Sequence, residues 1–583
     1  MSLLTRPHRG SAPEPAEPPA DGRSTGEPST GEPSTAEPGG TGDGRRSWWR
    51  RIASGLLTAV AALVVLTALV APDQLLSVTP EALVRLPAEG IFGAAVLLVL
   101  PPRIRRIAAI LGGIGLGLLT IDRIIDAGFY TVLARPFDLV LDWGLFSDGL
   151  NFVRDSGGQA AVVGAFAGSI LLALAVLALT TFSVVRLTRI LVWRTPVSAP
   201  AVAVLAIAWI SCAALGAQLL PGVPIASRGA ASMVHGRALR VQAGFRDAQK
   251  FAKEASVDKF ADTPGSDLLT ALKGKDVMVT FVESYGRSAL SDPAMAAEVA
   301  PVLDAGTKSL GAAGYQSRSG FLTSPTAGGG SWLAHSTLLS GLWINNQQRY
   351  RNLLASNRLT LNRAFTKANW RTVAVMPGTS KAWPEGSFYD EKAVYPAKDL
   401  GYRGPDMTLH TMPDQYTLAQ FERLEHGKPG HPPLMGEIPL TSSHTPWAPV
   451  PTMIPWDKVG DGSVYGPIAR NAEQASSVWT SPAKIRKAYA HSVAYTMSAL
   501  ISYVQKYGDD KLVLIVLGDH QPAPIVTGDH ASRDVPISII TKDQSVLDHI
   551  SGWKWQSGLH PSPTAPVWRM NTFRDRFLTA FAK

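Results

Sequence analysis

The 583-residue chain contains one cysteine, Cys212. That excludes an intrachain disulfide and any metal site assembled from several thiolates. An oxidising location is permitted by this count but not indicated by it. Charge is scarce too: Asp, Glu, Lys and Arg supply 17% of the residues against 46% hydrophobic, and mean hydropathy is +0.08. Soluble domains ordinarily carry about a quarter charged residues, so the average points to a membrane segment joined to a soluble one. No strong excess of one sign exists either. Lys plus Arg is 55 and Asp plus Glu is 46, a net +9 spread along the chain. A dedicated nucleic-acid binder concentrates its basic charge in a patch, so nucleic acid is not an expected partner.

The apolar residues are concentrated in the first part of the chain. Residues 1–44 are rich in Pro, Gly, Ser, Thr and Glu and carry a near-repeat beginning at Thr25, Thr30 and Thr35; such a segment has little to bury and is expected to be a disordered tail. Arg45-Arg46-Ser-Trp-Trp-Arg50-Arg51 then precedes an uncharged run, Ile52 to Pro72. This is about the 20 residues that cross a bilayer, with Trp and Arg where an interface needs them. A cleaved signal peptide is the competing reading; the run is long for one and no small-x-small cleavage site follows it, so an uncleaved anchor is preferred. Further runs predict spans near 86–102, 107–127, 159–185 and 197–220. The second and third reach span length only by including Glu89 or Asp122 and Arg123. Basic clusters at 45–51, 103–106 and 186–194 read as cytoplasmic. The expectation is a plasma-membrane domain over 45–221 with five spans, a cytoplasmic N-terminus and an extracytoplasmic C-terminal half. Residues 222–270 read as a linker whose part from His235 to Glu254 is an amphipathic helix, either on the membrane surface or simply solvated.

Residues 271–583 have the composition of a soluble α/β domain. Short β-branched runs at Val277–Val282, Arg371–Val375, Leu512–Leu517 and Val535–Ile540, with helical patterns such as Lys484 to Lys506 between them, predict a mostly parallel sheet covered on both faces. Sites in such sheets gather at the carboxyl ends of strands. Two strand ends carry ligand types there: Glu283-Ser284-Tyr285 after the first run, and Gly518-Asp519-His520 after the third. Carboxylates and an imidazole converging from two strands suit a hard or borderline divalent ion. Taken singly, each is more often a helix start or a loop residue. Between them lies Gly328-Gly329-Gly330-Ser331, followed by helical spacing. The glycines permit a tight turn, and Ser331 at the start of a helix sits where backbone amides favour phosphate or sulfate; the plain alternative is a helix cap. A serine nucleophile needs activation, which a metal supplies. His444, in a Pro-rich loop after Ile438-Pro-Leu440, has the chemistry to hold a phosphoryl oxygen or a leaving group, although a lone loop histidine is usually neither. His335 falls on the Ser331 helix face, and core packing is its ordinary fate. Gly528-Asp529-His530 repeats the Gly-Asp-His triplet after a short run and reads as a loop.

In order, these features are apolar runs, then Val282-Glu283-Ser284-Tyr285, Gly330-Ser331, Ser443-His444-Thr-Pro and Gly518-Asp519-His520. The set resembles the lipoteichoic acid synthase and phosphoethanolamine transferase branch of the alkaline phosphatase and sulfatase superfamily, over roughly residues 50–583. The resemblance implies an α/β domain of alkaline-phosphatase type and one catalytic Mn²⁺ or Zn²⁺ held by Glu283, Ser331, Asp519 and His520. It implies Ser331 as nucleophile, His444 on the substrate phosphate, and Trp383, Tyr389 and the segment Asp399–Tyr402 as a substrate-side loop. Two positions depart from the pattern. Met376 and Glu385 stand where those enzymes have a histidine and an arginine, which puts recognition of a glycerol phosphate head group in question. Sulfatases with a formylglycine nucleophile are disfavoured, because Ser331-Trp-Leu-Ala-His lacks their motif and Cys212 lies in a span. The implied activity is transfer of a phosphoglycerol- or phosphoethanolamine-type group from a membrane lipid donor to a glycolipid or wall-polymer acceptor through phospho-Ser331. A phosphodiesterase of the same class, or a catalytically silent envelope scaffold, are the alternatives.

Overall fold

The computed structural model describes residues 42–71, 85–220, 223–379, 385–408, 411–528 and 531–582. The expected tail over 1–44 therefore lies almost wholly outside the described residues, as do Trp383, Asp529 and His530. Two compact units are distinguished, Met1–Leu57 and Thr58–Lys583. The described part of the first is the opening half of helix α1, Gly42–Val70.

Among the described residues four helices are long and apolar enough to cross a membrane: Trp48–Val70 within α1, then α3 (Pro102–Leu133), the Gly158–Trp193 part of α4 (Trp143–Trp193) and α5 (Thr195–Leu215). Helix α2 (Ala88–Val99) is apolar but has 12 residues, about 18 Å of helix against about 30 Å of hydrocarbon. Its end is set by Pro101 and Pro102, since a residue before proline disfavours the α conformation while Pro102 starts α3 without losing a bond. The count of five spans thus stands at four helices of full length plus this short one. The basic stretch 186–194, expected as a loop, is the last two turns of α4, and the chain breaks only at Arg194. Its Leu187, Ile190, Leu191 and Val192 keep helical spacing, and arginine stems tolerate an apolar surround with their heads in water.

The turns of the bundle that face the C-terminal half are tied to it. Leu86–Pro87, just before α2, pairs with Ala226–Ser227, and Glu89 accepts the Ala231 amide at 2.8 Å. Helix α6 (Gly229–Ser256) follows. From it Arg237 reaches the carboxyl-terminal part of α3, 2.8 and 2.9 Å from Asp122 and 2.6 Å from Asp126. Two turns and more along α6, Asp247 and Glu254 both engage Arg349 of the soluble half, at 2.5 and 3.1 Å. The expected amphipathic helix is therefore a strap between the two halves; of the charges that weakened the apolar run, Asp122 is spent on it, while Arg123 donates to Ala68 O of α1 at 2.5 Å.

The soluble half is built on β1 (Asp276–Val282), α7 (Pro293–Ala312), β2 (Gln316–Thr323), α8 (Ser331–Ser340), β3 (Arg371–Met376), β4 (Ala393–Pro396), α9 (Asp414–Phe421), β5 (Leu434–Leu440), α10 (Pro482–Tyr507), β6 (Leu512–Gly518), β7 (Asp534–Thr541), β8 (Gln556–Ser557), β9 (Val567–Arg569) and α11 (Phe573–Phe581). Nine strands form one sheet in the order β8-β2-β7-β6-β1-β5-β3-β4, with β9 also on β2. Strands β6, β1, β5, β3 and β4 run parallel, and β7 is antiparallel to its neighbours. The expected mostly parallel sheet is present. All seven residues of β1 are buried: Met278 and Val282 enter the core under α7 and α10, whereas Val277, Val279 and Phe281 enter the one under α8 and α11. Burial on both faces is why this strand reads as a continuous apolar run.

Candidate active site at the carboxyl ends of the central strands

Parallel strands β1 and β6 pair through Val282 and Gly518, so the residues that follow them emerge side by side. Glu283 is 8% exposed, Asp519 1% and His520 not at all. Donor atoms of the three lie within 4.8 Å of one another. Ser331 Oγ donates to Glu283 Oε2 at 2.9 Å and lies 3.2 Å from His520 Nε2, which is itself 3.4 Å from Glu283 Oε1. The four residues read from the sequence as a ligand set are thus brought together from three elements.

Local backbone geometry fixes each of them. Ser331 is the first residue of α8, and its predecessor Gly330 has φ +80°, a left-handed conformation that suits glycine. At Gly328 the constraint is closer still. Its φ is +76°, and a Cβ there would stand 2.0 Å from the carbonyl oxygen of Val132, at the end of α3. The Gly328 amide donates to Gln521 O at 2.8 Å. The glycine loop is therefore wedged between the apolar helix α3 and the chain that leaves β6 through Asp519 and His520. Beside it is a cavity of about 150 Å³ lined by Leu133, Arg135, Gly330, Trp332, Gln347 and Arg533. Arg135 is held by Asp142 at 2.5 and 2.8 Å. Neither arginine stands out in the sequence.

The electrostatics fit a cation. Asp519 Oδ1 accepts the amides of Ser284 and His520 at 2.8 and 2.7 Å, while its Oδ2 is buried without a hydrogen-bond partner. Burial and the adjacent Glu283 charge push the Asp519 carboxyl up to about 7. Burial also opposes charge on Glu283, but His444 and His520 outweigh it and hold that carboxyl well below its usual range. His520 is driven up to about 9, burial being overcome by Asp519 and Glu283. His520 Nδ1 lies 2.9 Å from the Gln521 carbonyl and donates there, so a cation that displaced the Nε2 proton would meet the Nε2 lone pair among the carboxylates, the usual posture of a metal-bound imidazole. Two carboxylates, an imidazole and a hydroxyl around one orphaned buried oxygen fit a divalent metal ion.

The remaining candidates separate. His444 sits beside Glu283: Ser443 Oγ donates to Glu283 O at 2.6 Å, and the Glu283 amide donates to Leu440 O at 3.0 Å. The His444 Nδ1 is engaged by the Thr445 carbonyl at 2.6 Å. His335 stacks on Phe281 with ring centroids 3.8 Å apart, its Nε2 3.9 Å from Asp519 Oδ2, and burial drives it down to about 3. Tyr389, expected on a substrate-side loop, is instead buried with its hydroxyl 2.7 Å from Ser336 Oγ, and Tyr402 packs on Tyr416. Met376 is buried at the end of β3. Trp383 lies outside the described residues.

No protein-family model matches the chain, and no curated protein matches it. Among solved structures it is similar to the lipoteichoic acid synthase LtaP from Listeria monocytogenes, at 16% identity over 58% of this chain and 78% of that chain, TM-score 0.35. It is also similar to the phosphoglycerol transferase GacH from Streptococcus pyogenes, solved with sn-glycerol-1-phosphate, at 14% identity over 57% and 90% of the two chains, TM-score 0.34. A third is the soluble domain of lipooligosaccharide phosphoethanolamine transferase A from Neisseria meningitidis, at 12% identity over 55% and 93%, TM-score 0.35. Likenesses of this strength assign no residue and no activity.

Proposed function

We propose that the chain is a membrane-anchored transferase that moves a phosphoglycerol- or phosphoethanolamine-type group from a lipid donor to a hydroxyl of a glycolipid or wall polymer. The observation that carries this reading is Ser331 Oγ at the start of α8, 2.9 Å from Glu283 and 3.2 Å from His520, with the unpartnered Asp519 oxygen beside them. Glu283, Ser331, Asp519 and His520 would hold one Mn²⁺ or Zn²⁺. When bound, that ion lowers the pKa of the serine hydroxyl and offsets charge on phosphoryl oxygens.

Ser331, its hydroxyl proton given up to solvent, attacks phosphorus as the alkoxide: the Oγ–P bond forms, the ester bond to the lipid breaks, and the departing lipid alkoxide takes a proton from the His444 ring in this reading. The acceptor hydroxyl then attacks the same phosphorus, loses its proton to the His444 ring, and frees Ser331. The α8 amides face the phosphoryl oxygens.

The positions of the helix ends support a reading with five crossings. Helix α2 starts beside Ala226–Ser227, where α6 begins, and ends where α3 starts; α3 ends against Gly328. Helix α2 therefore runs from one side of the bundle to the other although it is short, its extended flanks making up the distance. With the basic clusters cytoplasmic, the catalytic half is extracytoplasmic and Ser331 lies near the lipid surface. The test is intact-mass analysis of the full chain in detergent micelles after incubation with phosphatidylglycerol or phosphatidylethanolamine and Mn²⁺. A phospho-adduct that needs the metal and disappears in Ser331→Ala is expected, and its mass names the group. Equal adduct in Ser331→Ala, or no adduct and no turnover of either lipid, would overturn the reading.

A further inference from the structure

A second group of ligand types lies at the opposite end of the same strands. Asp276 opens β1, Asp509 lies in the loop entering β6, and His426 closes a single π-helical turn, Glu422–His426, ahead of β5. One donor atom of each is within 4.8 Å of the other two. The length of β1, seven residues, separates this group from Glu283 by about 20 Å.

Asp276 is 2% exposed. Its Oδ1 accepts the Leu434 amide at 2.9 Å, but its Oδ2 is buried without a hydrogen-bond partner. An orphaned carboxylate oxygen is unfavourable unless something positive meets it. The nearest basic nitrogen, His431 Nδ1, is 3.8 Å from Oδ1 and is itself taken by the Pro432 carbonyl at 2.9 Å. His426 is oriented from behind: its Nδ1 lies 2.7 Å from Glu422 Oε2, an oxygen that also accepts the Tyr503 hydroxyl at 2.8 Å. With Nδ1–H donated to a carboxylate, the Nε2 lone pair is left for another partner, as in metal-bound imidazoles. Asp509 Oδ1 is fixed by the Lys511 and Leu512 amides at 2.9 and 3.1 Å, which leaves Oδ2 for the same purpose. The π turn is itself a rare conformation, frequent where a side chain must be aimed.

We infer that Asp276, His426 and Asp509 bind a second divalent transition ion, Zn²⁺ fitting best, which clips the π turn to the entrances of β1 and β6. Zinc takes imidazole nitrogen and carboxylate oxygen together in four-coordinate sites, and the exposed Asp509 leaves room for water as the fourth ligand. Calcium and magnesium favour all-oxygen sets.

The test uses the full chain in detergent, with the catalytic cluster silenced by Glu283→Gln, Asp519→Asn and His520→Gln. After chelator treatment it is titrated with ZnCl₂, and bound zinc per chain and Tm are measured. One equivalent of zinc and a Tm that rises with it are expected. Adding Asp509→Asn, which keeps the amide-accepting oxygen and sits at the surface, should abolish both. Glu422→Gln, which alters the partner of His426 Nδ1 and of the Tyr503 hydroxyl but supplies no ligand itself, should weaken binding about 10- to 100-fold. With Co²⁺ in place of zinc, a visible d–d band should appear and change in His426→Gln. No zinc retained by the silenced protein, or equal retention after Asp509→Asn and Asp276→Asn, would overturn the proposal. Because the catalytic cluster is absent throughout, neither result depends on the proposed transfer reaction.

Discussion

Strands β6, β1 and β5 lie side by side, and both ends of the trio carry two carboxylates and an imidazole, yet the ends differ in every other respect. At the carboxyl ends Glu283, Asp519 and His520 follow their strands directly, face the Ser331 hydroxyl at a helix start, and lie beside a glycine loop that meets the apolar helix α3 at Gly328. At the amino ends Asp276, His426 and Asp509 come from a strand start, a π turn and a loop, with no nucleophile among them. In the two proposals above, the same ligand types serve chemistry at one end and cohesion at the other. What separates the two is the company they keep: a hydroxyl, helix amides and access to lipid, against a tyrosine and a stacked phenylalanine around His426.

Four substitutions sharpen or break that contrast. The largest effect is expected at Ser331. Ser331→Ala should lower transfer at least about 10⁴-fold with Tm little changed, measured as lipid turnover beside a melting curve; turnover within tenfold of the parent would break the contrast. Next come two glycines with left-handed backbones. Gly328→Ala combines φ +76° with a 2.0 Å approach to Val132 O, whereas Gly274, just before β1, has φ +81° and nothing within 4 Å. Strain plus overpacking should make Gly328→Ala cost about 4 kcal/mol and reduce turnover, against about 1 kcal/mol and unchanged turnover for Gly274→Ala. Denaturant melts and lipid turnover of both variants check this, and equal losses would show that α3 does not constrain the loop.

The smallest effect concerns Asp414, which braces the loop before His444. Its Oδ1 accepts the Thr441 and Ser442 amides at 2.8 and 3.0 Å and its Oδ2 accepts Thr496 Oγ1 at 2.6 Å. Burial nevertheless pushes the carboxyl from 3.8 up to about 6. Between those values the folded chain holds a proton that the unfolded chain has lost, so stability falls as pH rises through that window and is level above it. The gap corresponds to about 3 kcal/mol. Asp414→Asn keeps the acceptor and can donate to Thr496. Its stability relative to the parent should therefore climb by up to about 3 kcal/mol from pH 4 to pH 7, read from denaturant melts across that range. A flat difference would mean that Asp414 is ionised throughout.

The catalytic end was legible because its residues are contiguous with strands that are apolar on both faces: Val277–Val282 into Glu283, Leu512–Leu517 into Asp519 and His520. Strand β2, Gln316–Thr323, was not legible, since Ser317 and Ser319 interrupt it; Ser319 is buried by bonding Ser538 at 2.6 Å, a partner known only from the fold. The arginines at 186–194 were read as a loop because charge was weighed above helical spacing, and Arg135 and Arg533 left no pattern at all.

By itself, then, the sequence determined what depends on neighbours along the chain: the apolar helices, the buried strands, the glycine turn into Ser331 and the residue types at strand ends. Only the tertiary structure decided what depends on neighbours in space. It turned the 229–256 helix into a strap through Arg237 and Arg349, set a membrane helix against the glycine loop, and gathered Asp276, His426 and Asp509. Local propensity and hydrophobic period are carried by a few consecutive residues, whereas such contacts join residues 100 or more positions apart and are fixed by packing that no local pattern encodes.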